Sequence, residues 1–295
     1  MNVFTIKDLE KLSGIKAHTI RIWEQRYALL KPQRTDTNIR YYTNEELKTV
    51  LNISLLNKYG FKISHIDRMS ATEMSSKILS LSQNEAHQER TINLLIQYMI
   101  DLKIDEFENL LDSHIQEKGL EKTIISIVFT FLEKIGLLWQ TNHINPAQEH
   151  LISNIIRQKL IMGIEKATSI VKANTTALLF LPEAEYHEVG LLFMHYLFKA
   201  KGIKVLYVGA NVPLKDIEYL AKTAKPTFLY THLTAVANNF SLEHFLLQLS
   251  NCLPNSRIVV SGQLVFAYKK KLPATVSLKK SLAEVLAFIA TEATS

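Results

Sequence analysis

Within Leu181-Pro-Glu-Ala-Glu-Tyr-His-Glu-Val-Gly190, a carboxylate at Glu185, an imidazole at His187 and a glycine at Gly190 stand close together. A neutral imidazole is the commonest protein ligand for a metal, and its second ring nitrogen usually donates to a nearby acceptor. Glu185, two residues before His187, has the right chemistry to be that acceptor. A lone loop imidazole with no thiolates around it makes a poor site for bare zinc, which wants a complete ligand set. A preformed metal complex suits it better. Taken alone, the same residues also suit a surface loop that happens to contain a histidine.

The elements on either side favour the first reading. Thr176–Leu181 is a short apolar run that reads as a buried parallel strand, and Leu191–Lys201 is apolar at helical spacing until Gly202 stops it. The imidazole therefore sits in a loop leaving the carboxyl end of a strand, where open α/β sheets bind ligands. Further strands are expected at Lys204–Val208, Phe228–Thr231, Ile258–Val260 and Thr275–Leu278, with helices near 188–201, 213–223, 241–251 and 280–291. Five such units over residues 174–295 predict a parallel, Rossmann-like sheet of flavodoxin type, in the order 2-1-3-4-5. That order makes the loops bearing Glu185, His187 and Gly190, then Thr231-His-Leu233, then Ser261-Gly262-Gln263, line one crevice. A metal-bearing ligand with a long tail could set its metal at His187 and its tail along the other two loops.

Upstream, Asn84–Lys103, Ile104–Lys118, Leu120–Thr141 and Asn145–Ala173 carry apolar residues at three-four spacing, which predicts an antiparallel helical bundle over residues 84–173. Trp139 falls on the last turn of one helix. Asn145 can cap the next, with Pro146 at its first position and Gln148 completing a capping box. Glu149 and His150 then lie in the first turn. Residues 71–83 are polar and read as a linker with a loose helix.

Of the net charge of +6, residues 1–70 hold +5, from 12 Lys and Arg against 7 Asp and Glu. So local an excess points to a polyanionic partner. Here Thr5 can cap a helix over Ile6–Leu12, Ser13-Gly14 ends it, and a second helix follows over about His18–Tyr27, which is the spacing of a helix-turn-helix. Ile20 and Trp23 should face inward, and Arg21 and Gln25 share the outer face, where they could read base edges in a major groove. Pro32 and the Thr35–Asn38 turn predict a two-stranded wing flanked by Arg34 and Arg40. Thr43 with Glu46 makes a capping box that opens a third helix through Tyr59.

An apolar content of 47% and a charged content of 21% are ordinary for a globular protein. No run of about 18 apolar residues could span a membrane, and the first residues show no secretory signal. The single cysteine, Cys252, cannot form an internal disulfide or a thiolate cage, and together these features predict a cytoplasmic protein.

The runs Thr5-Ile-Lys-Asp-Leu-Glu-Lys-Leu-Ser-Gly-Ile15, Thr19-Ile-Arg-Ile-Trp-Glu-Gln-Arg-Tyr27 and Leu30-Lys-Pro…Arg34-Thr…Arg40-Tyr-Tyr42 resemble the winged-helix DNA-binding domain of MerR-family regulators. The resemblance covers residues 3–70. It implies contacts to double-stranded promoter DNA in the major groove from Thr19, Arg21 and Trp23, with Arg26 and Tyr27 near the backbone. It also brings Arg34, Arg40 and Tyr42 to phosphate or the minor groove. Asn38 stands where the wing commonly has Gly, and Asn tolerates a left-handed backbone.

Trp139, nine residues, then Glu149-His150 resembles the Trp-x9-Glu-His motif of cobalamin-binding MerR-type photoreceptors and their light-independent relatives. This implies a bundle lying over the upper face of a corrin, with Trp139 shielding the upper axial group and Glu149 and His150 contacting it. Glu185-Tyr-His187-Glu-Val-Gly190 matches the Asp/Glu-x-His-x-x-Gly motif of the cobalamin-binding domain found also in methionine synthase and corrinoid carriers. That match implies His187 as the cobalt ligand in place of dimethylbenzimidazole. Thr231-x-Leu233 stands where Ser-x-Leu is usual and Ser261-Gly262 where Gly-Gly is usual; Thr231 keeps the hydroxyl, and Ser261 adds a side chain beside the nucleotide tail.

What the resemblance implies is a transcriptional repressor, not an enzyme. Bound adenosylcobalamin, or another cobalamin, would control its assembly from dimer to tetramer and its hold on the promoter. In the related photoreceptors light breaks the cobalt–carbon bond and the tetramer falls apart. Light-responsive members carry His directly after the Trp; this chain has Gln140, a far weaker cobalt ligand, with His143 three residues on. Two other readings remain open: a corrinoid carrier or enzyme subunit, and a MerR-type regulator that has lost cobalamin and answers to another signal or a protein partner.

Overall fold

The computed structural model describes residues 3–27, 29–81, 83–139, 144–170, 172–234 and 240–294. The chain divides into two compact units, Met1–Ile155 and Ile156–Ser295.

The first unit opens with α1 (Ile6–Ser13), started by a capping box in which the Thr5 amide donates to Asp8 at 2.7 Å and ended by Gly14 at φ 74°. A tight turn leads to α2 (Ala17–Arg26), whose Ile20 and Trp23 are buried as their spacing predicts. The wing is a short antiparallel pair, β1 (Gln33–Arg34) and β2 (Arg40–Tyr41), in register Gln33 to Tyr41 and Arg34 to Arg40. Asn38 turns it at φ 63°, a conformation Asn adopts at low cost, and its side-chain oxygen accepts from the Arg34 guanidinium at 2.6 Å. The capping box of Thr43 and Glu46 opens α3 (Asn44–Lys58), followed by the short α4 (Ile63–Ile66).

Residues 71–83, expected as a polar linker with a loose helix, do contain a helix, but a docked one. They hold α5 (Ala71–Leu79), capped by Ser70 and Glu73, and its Ile78 is buried in one cluster with Trp23, Ile53, Leu55, Leu56 and Ile66. Ile78, with Met74 partly buried against the same cluster, docks this short helix.

Then come α6 (Asn84–Ile100), α7 (Ile104–Lys118) and α8 (Leu120–Thr123), which runs through a π-helical turn at Ile124–Val128 into α9 (Phe129–Trp139). The next helix, α10 (Pro146–Lys166), ends seven residues before Ala173, where its apolar spacing had been expected to run out. At its start the Asn145 side chain accepts from Ala147 at 2.9 Å, while the buried Gln148 amide donates to the carbonyls of Met99 and Ile100 in the last turn of α6. Within this unit Lys48 pairs with Asp101 at 2.5 Å, Lys58 with Glu89 at 2.7 Å, and Lys134 donates to the Leu12 carbonyl at 3.2 Å. These contacts tie the helices after residue 84 to those before it.

The second unit is a doubly wound α/β fold. Its strands are β3 (Thr176–Pro182), β4 (Lys204–Val212), β5 (Phe228–His232), β6 (Ile258–Ser261) and β7 (Val276–Leu278). They pair in parallel in the order β4-β3-β5-β6-β7, which is the expected 2-1-3-4-5. Helices α11 (Glu188–Ala200), α12 (Leu214–Ala224) and α13 (Leu242–Cys252) supply the first three crossovers, a 3-10 turn at Gln263–Val265 lies between β6 and β7, and α14 (Leu282–Ala293) follows the last strand. Leu178 and Phe180 of β3 are buried with Leu229, Val260, Ile217 and Leu246 on one face of the sheet. No helix among the described residues is long and apolar enough to cross a membrane. Since Phe180 is fully buried in this cluster, Phe180→Ala should destabilise the α/β unit by about 3–5 kcal/mol. A fall in the urea midpoint at unchanged slope is the measurement that checks it.

Candidate functional site

Two places carry chemistry, one in each unit. In the first, α2 presents an outer row: Arg21, Gln25 and Arg26 are exposed, with Thr19 and Tyr27 partly so, and Arg34 and Arg40 stand exposed on the wing. Two residues expected at the DNA are instead interior. Trp23 is 5% exposed, packed over α3 and α5, and Tyr42 is fully buried. Trp23 falls on the same face of α2 as Ile20, so helical periodicity turns it toward the core. Tyr42 bridges to Phe4 by two backbone hydrogen bonds of 2.9 Å, and its hydroxyl donates to the carboxylate of Glu24. Burial and that carboxylate push the Tyr42 phenol well above its ordinary range. Glu24 also pairs with the Arg40 Nε at 3.3 Å, so one carboxylate on the recognition helix holds the returning strand of the wing. The sequence reading passed over Glu24 because its partners lie 16 and 18 residues away. Removing the hydroxyl in Tyr42→Phe strips a charged acceptor of its donor and should cost about 1–3 kcal/mol in urea unfolding.

The second place is the carboxyl edge of the parallel sheet. Glu185 is completely buried, and His187 at the start of α11 is about half exposed. The Glu185 Oε1 receives the His187 amide at 2.8 Å and lies 2.6 Å from its Nδ1. A buried carboxylate facing Nδ1 sets that nitrogen as the proton-bearing one and turns Nε2 toward any metal. The loop is shaped by Asn211 at the end of β4, which stands at φ 56°. Its side chain accepts from the Ala184 amide at 2.9 Å, and its own amide donates to the Glu185 carbonyl at 3.0 Å. Next to His187, Glu188 binds Arg157 of α10 at 2.6 Å and accepts from the Tyr207 hydroxyl at 3.0 Å. Asn211-Val-Pro after the second strand also fits the resembled family, but its hold on the loop is visible only in the structure. Arg157 and Tyr207 escaped the sequence reading, since their contacts to Glu188 close over 31 and 19 residues.

Along the same edge, Thr231, Leu233 and Ser261 are buried. The Thr231 hydroxyl oxygen has no hydrogen-bond partner among the described residues, an uncommon state for a buried polar atom. Ser261 Oγ lies 2.6 Å from the Tyr230 hydroxyl and 2.8 Å from His232 Nδ1. Burial holds the His232 imidazole down to about 4, against a small opposing pull from Glu185. Gly262 has φ 100°, and a Cβ there would collide with the backbone of Leu233; a Cβ at Gly190 would overlap the His232 ring. Both glycines are thus required by close approach.

Of the residues expected over the ligand's upper face, Glu149 is partly buried and His150 exposed in the first turn of α10, with Glu149 Oε2 and His150 Nδ1 3.2 Å apart. Trp139 closes α9, and nothing is described of its side chain; Gln140 and His143 lie outside the described residues. The structure therefore brings together Glu185 with His187, Thr231 with its buried neighbours, and Glu149 with His150.

Residues 4–73 match the family described as MerR HTH family regulatory protein, and residues 91–162, which run from α6 into α10, match the B12 binding domain. The chain is a DNA-binding transcriptional regulator that joins a MerR helix-turn-helix to a cobalamin-binding region. It is homologous to two Myxococcus xanthus proteins: HTH-type transcriptional repressor CarH, 24% identical over 265 residues and 88% of each chain, and HTH-type transcriptional repressor CarA, 29% identical over 75% of this chain and 73% of that one. Among solved structures, the Methanosarcina barkeri monomethylamine corrinoid protein superposes with a TM-score of 0.52, covering 68% of this chain and 97% of that one at 13% identity, a likeness of fold.

Proposed function

We propose that the chain is a cytoplasmic repressor whose hold on promoter DNA is set by a cobalamin ligated through His187, and that it acts by binding, not by catalysis. The observation that carries this is the buried Glu185 aimed at Nδ1 of His187. A fully buried carboxylate is costly unless paired, and here it orients an imidazole at the ligand-binding edge of a parallel sheet. The unpartnered Thr231 hydroxyl, buried on the same edge, supplies a polar group for a ligand that reaches inward. Leu233, Ser261 and the two tightly packed glycines, Gly190 and Gly262, complete the lining. Glu149 and His150, with Trp139, would take the opposite face of the corrin.

We divide the chain into a DNA reader over residues 1–70, a connecting segment over 71–83, a helical cap over 84–173 and the α/β domain over 174–295. The matches at 4–73 and 91–162 support the first and third parts. In the reader, Thr19, Arg21 and Arg26 would meet the major groove and its backbone beside Tyr27, with Arg34 and Arg40 on flanking phosphate. Trp23 and Tyr42 position them from within. Bound cobalamin, in its adenosyl form, would supply the bias between oligomeric states, dimer against tetramer, and a multivalent operator rewards the larger.

The deciding experiment adds adenosylcobalamin to the full chain in the dark, desalts it and records the visible spectrum. Retained corrin absorbance is expected, and its absence refutes the reading. His187→Ala should remove the imidazole-ligated spectrum, and Glu185→Ala should weaken binding about 10–100-fold. Size-exclusion chromatography of the same sample before and after illumination reads the oligomeric switch.

The two classes of DNA contact separate by salt. Arg21→Ala should cost about 1–3 kcal/mol on the operator and blur sequence preference. Arg34→Ala should weaken all sequences alike and lower the slope of log K against log salt by about 0.9. Gel-shift titrations at several salt concentrations distinguish the two.

A further inference from the structure

His232 lies on the ligand-binding edge and neither orients the metal ligand nor shapes its loop. It ends β5 opposite Ser261 of β6, its partner in the parallel register. The imidazole Nδ1 is 2.8 Å from Ser261 Oγ, and that oxygen is 2.6 Å from the Tyr230 hydroxyl, so three side chains form one hydrogen-bonded chain. The far edge of the ring, Cδ2 and Nε2, presses on Gly190 so closely that a Cβ there would overlap it. The imidazole thus reaches from β6 to the first turn of α11. It fills the gap between the loop of His187 and the buried row of Thr231 and Ser261.

We propose that His232 is a plug that sets which corrinoid the site accepts: a nucleotide tail can pass from the His187 loop to the Thr231 hydroxyl only when the imidazole swings off Gly190 and gives up Ser261. This rests on the reading of His187 as cobalt ligand and adds a selectivity to it. A corrinoid with no nucleotide tail seats against His187 without disturbing the ring. A tailed one must displace it, and in return gains the Ser261 hydroxyl that the ring had occupied. The plug explains why a serine is tolerated at position 261: its side chain is held by His232 and Tyr230 and is not left facing an apolar void.

The test titrates the full chain in the dark with adenosylcobalamin and with adenosylcobinamide, which share the corrin and upper group and differ in the nucleotide tail. Affinity is read from tryptophan quenching and from the visible spectrum. His232→Ala should tighten adenosylcobalamin about tenfold, the worth of one buried hydrogen bond and its displaced ring, and leave adenosylcobinamide unchanged. His232→Phe keeps a ring in the gap and should bind adenosylcobalamin no better than the parent chain. If the Ala variant fails to fold by circular dichroism, His232→Ser carries the same expectation. Equal effects on both corrinoids, or none on either, overturn the plug while leaving the cofactor reading standing. Failure of both corrinoids to bind the parent chain and every variant overturns both.

Discussion

Everything at the ligand-binding edge depends on one hydrogen bond, from Nδ1 of His187 to the buried carboxylate of Glu185. A carboxylate shielded from water must be satisfied by donors close at hand. The loop provides two of these from the same residue, the His187 amide and its ring. That double engagement fixes both the position and the tautomer of the imidazole, which a lone exposed histidine would not have. Asn211 holds the loop from the neighbouring strand, and Arg157 with Tyr207 holds Glu188 at the first residue of α11. The imidazole is therefore braced on both sides, although about half of it is exposed.

A comparable economy operates in the DNA-binding half. Glu24 lies on the recognition helix yet points to the wing, where it takes the Tyr42 hydroxyl and the Arg40 guanidinium. Helix and wing meet the two sides of a DNA groove only if their relative placement is rigid, and a part-buried charged contact supplies that rigidity better than an exposed pair. The same contact leaves Arg21, Gln25 and Arg26 on the outer face of α2 unencumbered by it. Trp23 and Ile78 extend the support beneath, joining α2 to α5 through a shared apolar cluster.

Ligand control of such a molecule requires that bound cofactor favour one arrangement over another by a real difference in free energy. On the proposal made above, the α/β unit offers a second energetic decision at His232, whose ring would trade a hydroxyl partner and a packed glycine against the incoming ligand. Affinity for the cofactor and identity of the cofactor would then be set by separate residues, His187 with Glu185 for the first and His232 with Ser261 for the second.

Much of this was legible in the residues alone. The strand–helix alternation after residue 174, the strand order, the two helices and wing of the reader, and the pairing of Glu185 with His187 all follow from local periodicity, capping and short spacing. Short-range rules work there because the interacting groups are within one turn or one loop of each other. The sequence also left errors that only folding corrected: Tyr42 was expected at the DNA and is interior, the helix of residues 71–83 was expected to be loose and is docked, and α10 stops at Lys166. Trp23 was expected both inward, from its spacing, and at the DNA, from the resemblance, and the spacing prevailed. The structure alone decided that Asn211 shapes the loop, that Glu24 joins helix to wing, and that His232 lies against Gly190. Those contacts span 16 to 42 residues of chain, and no periodicity encodes a meeting that exists only once the sheet has brought distant strand ends side by side.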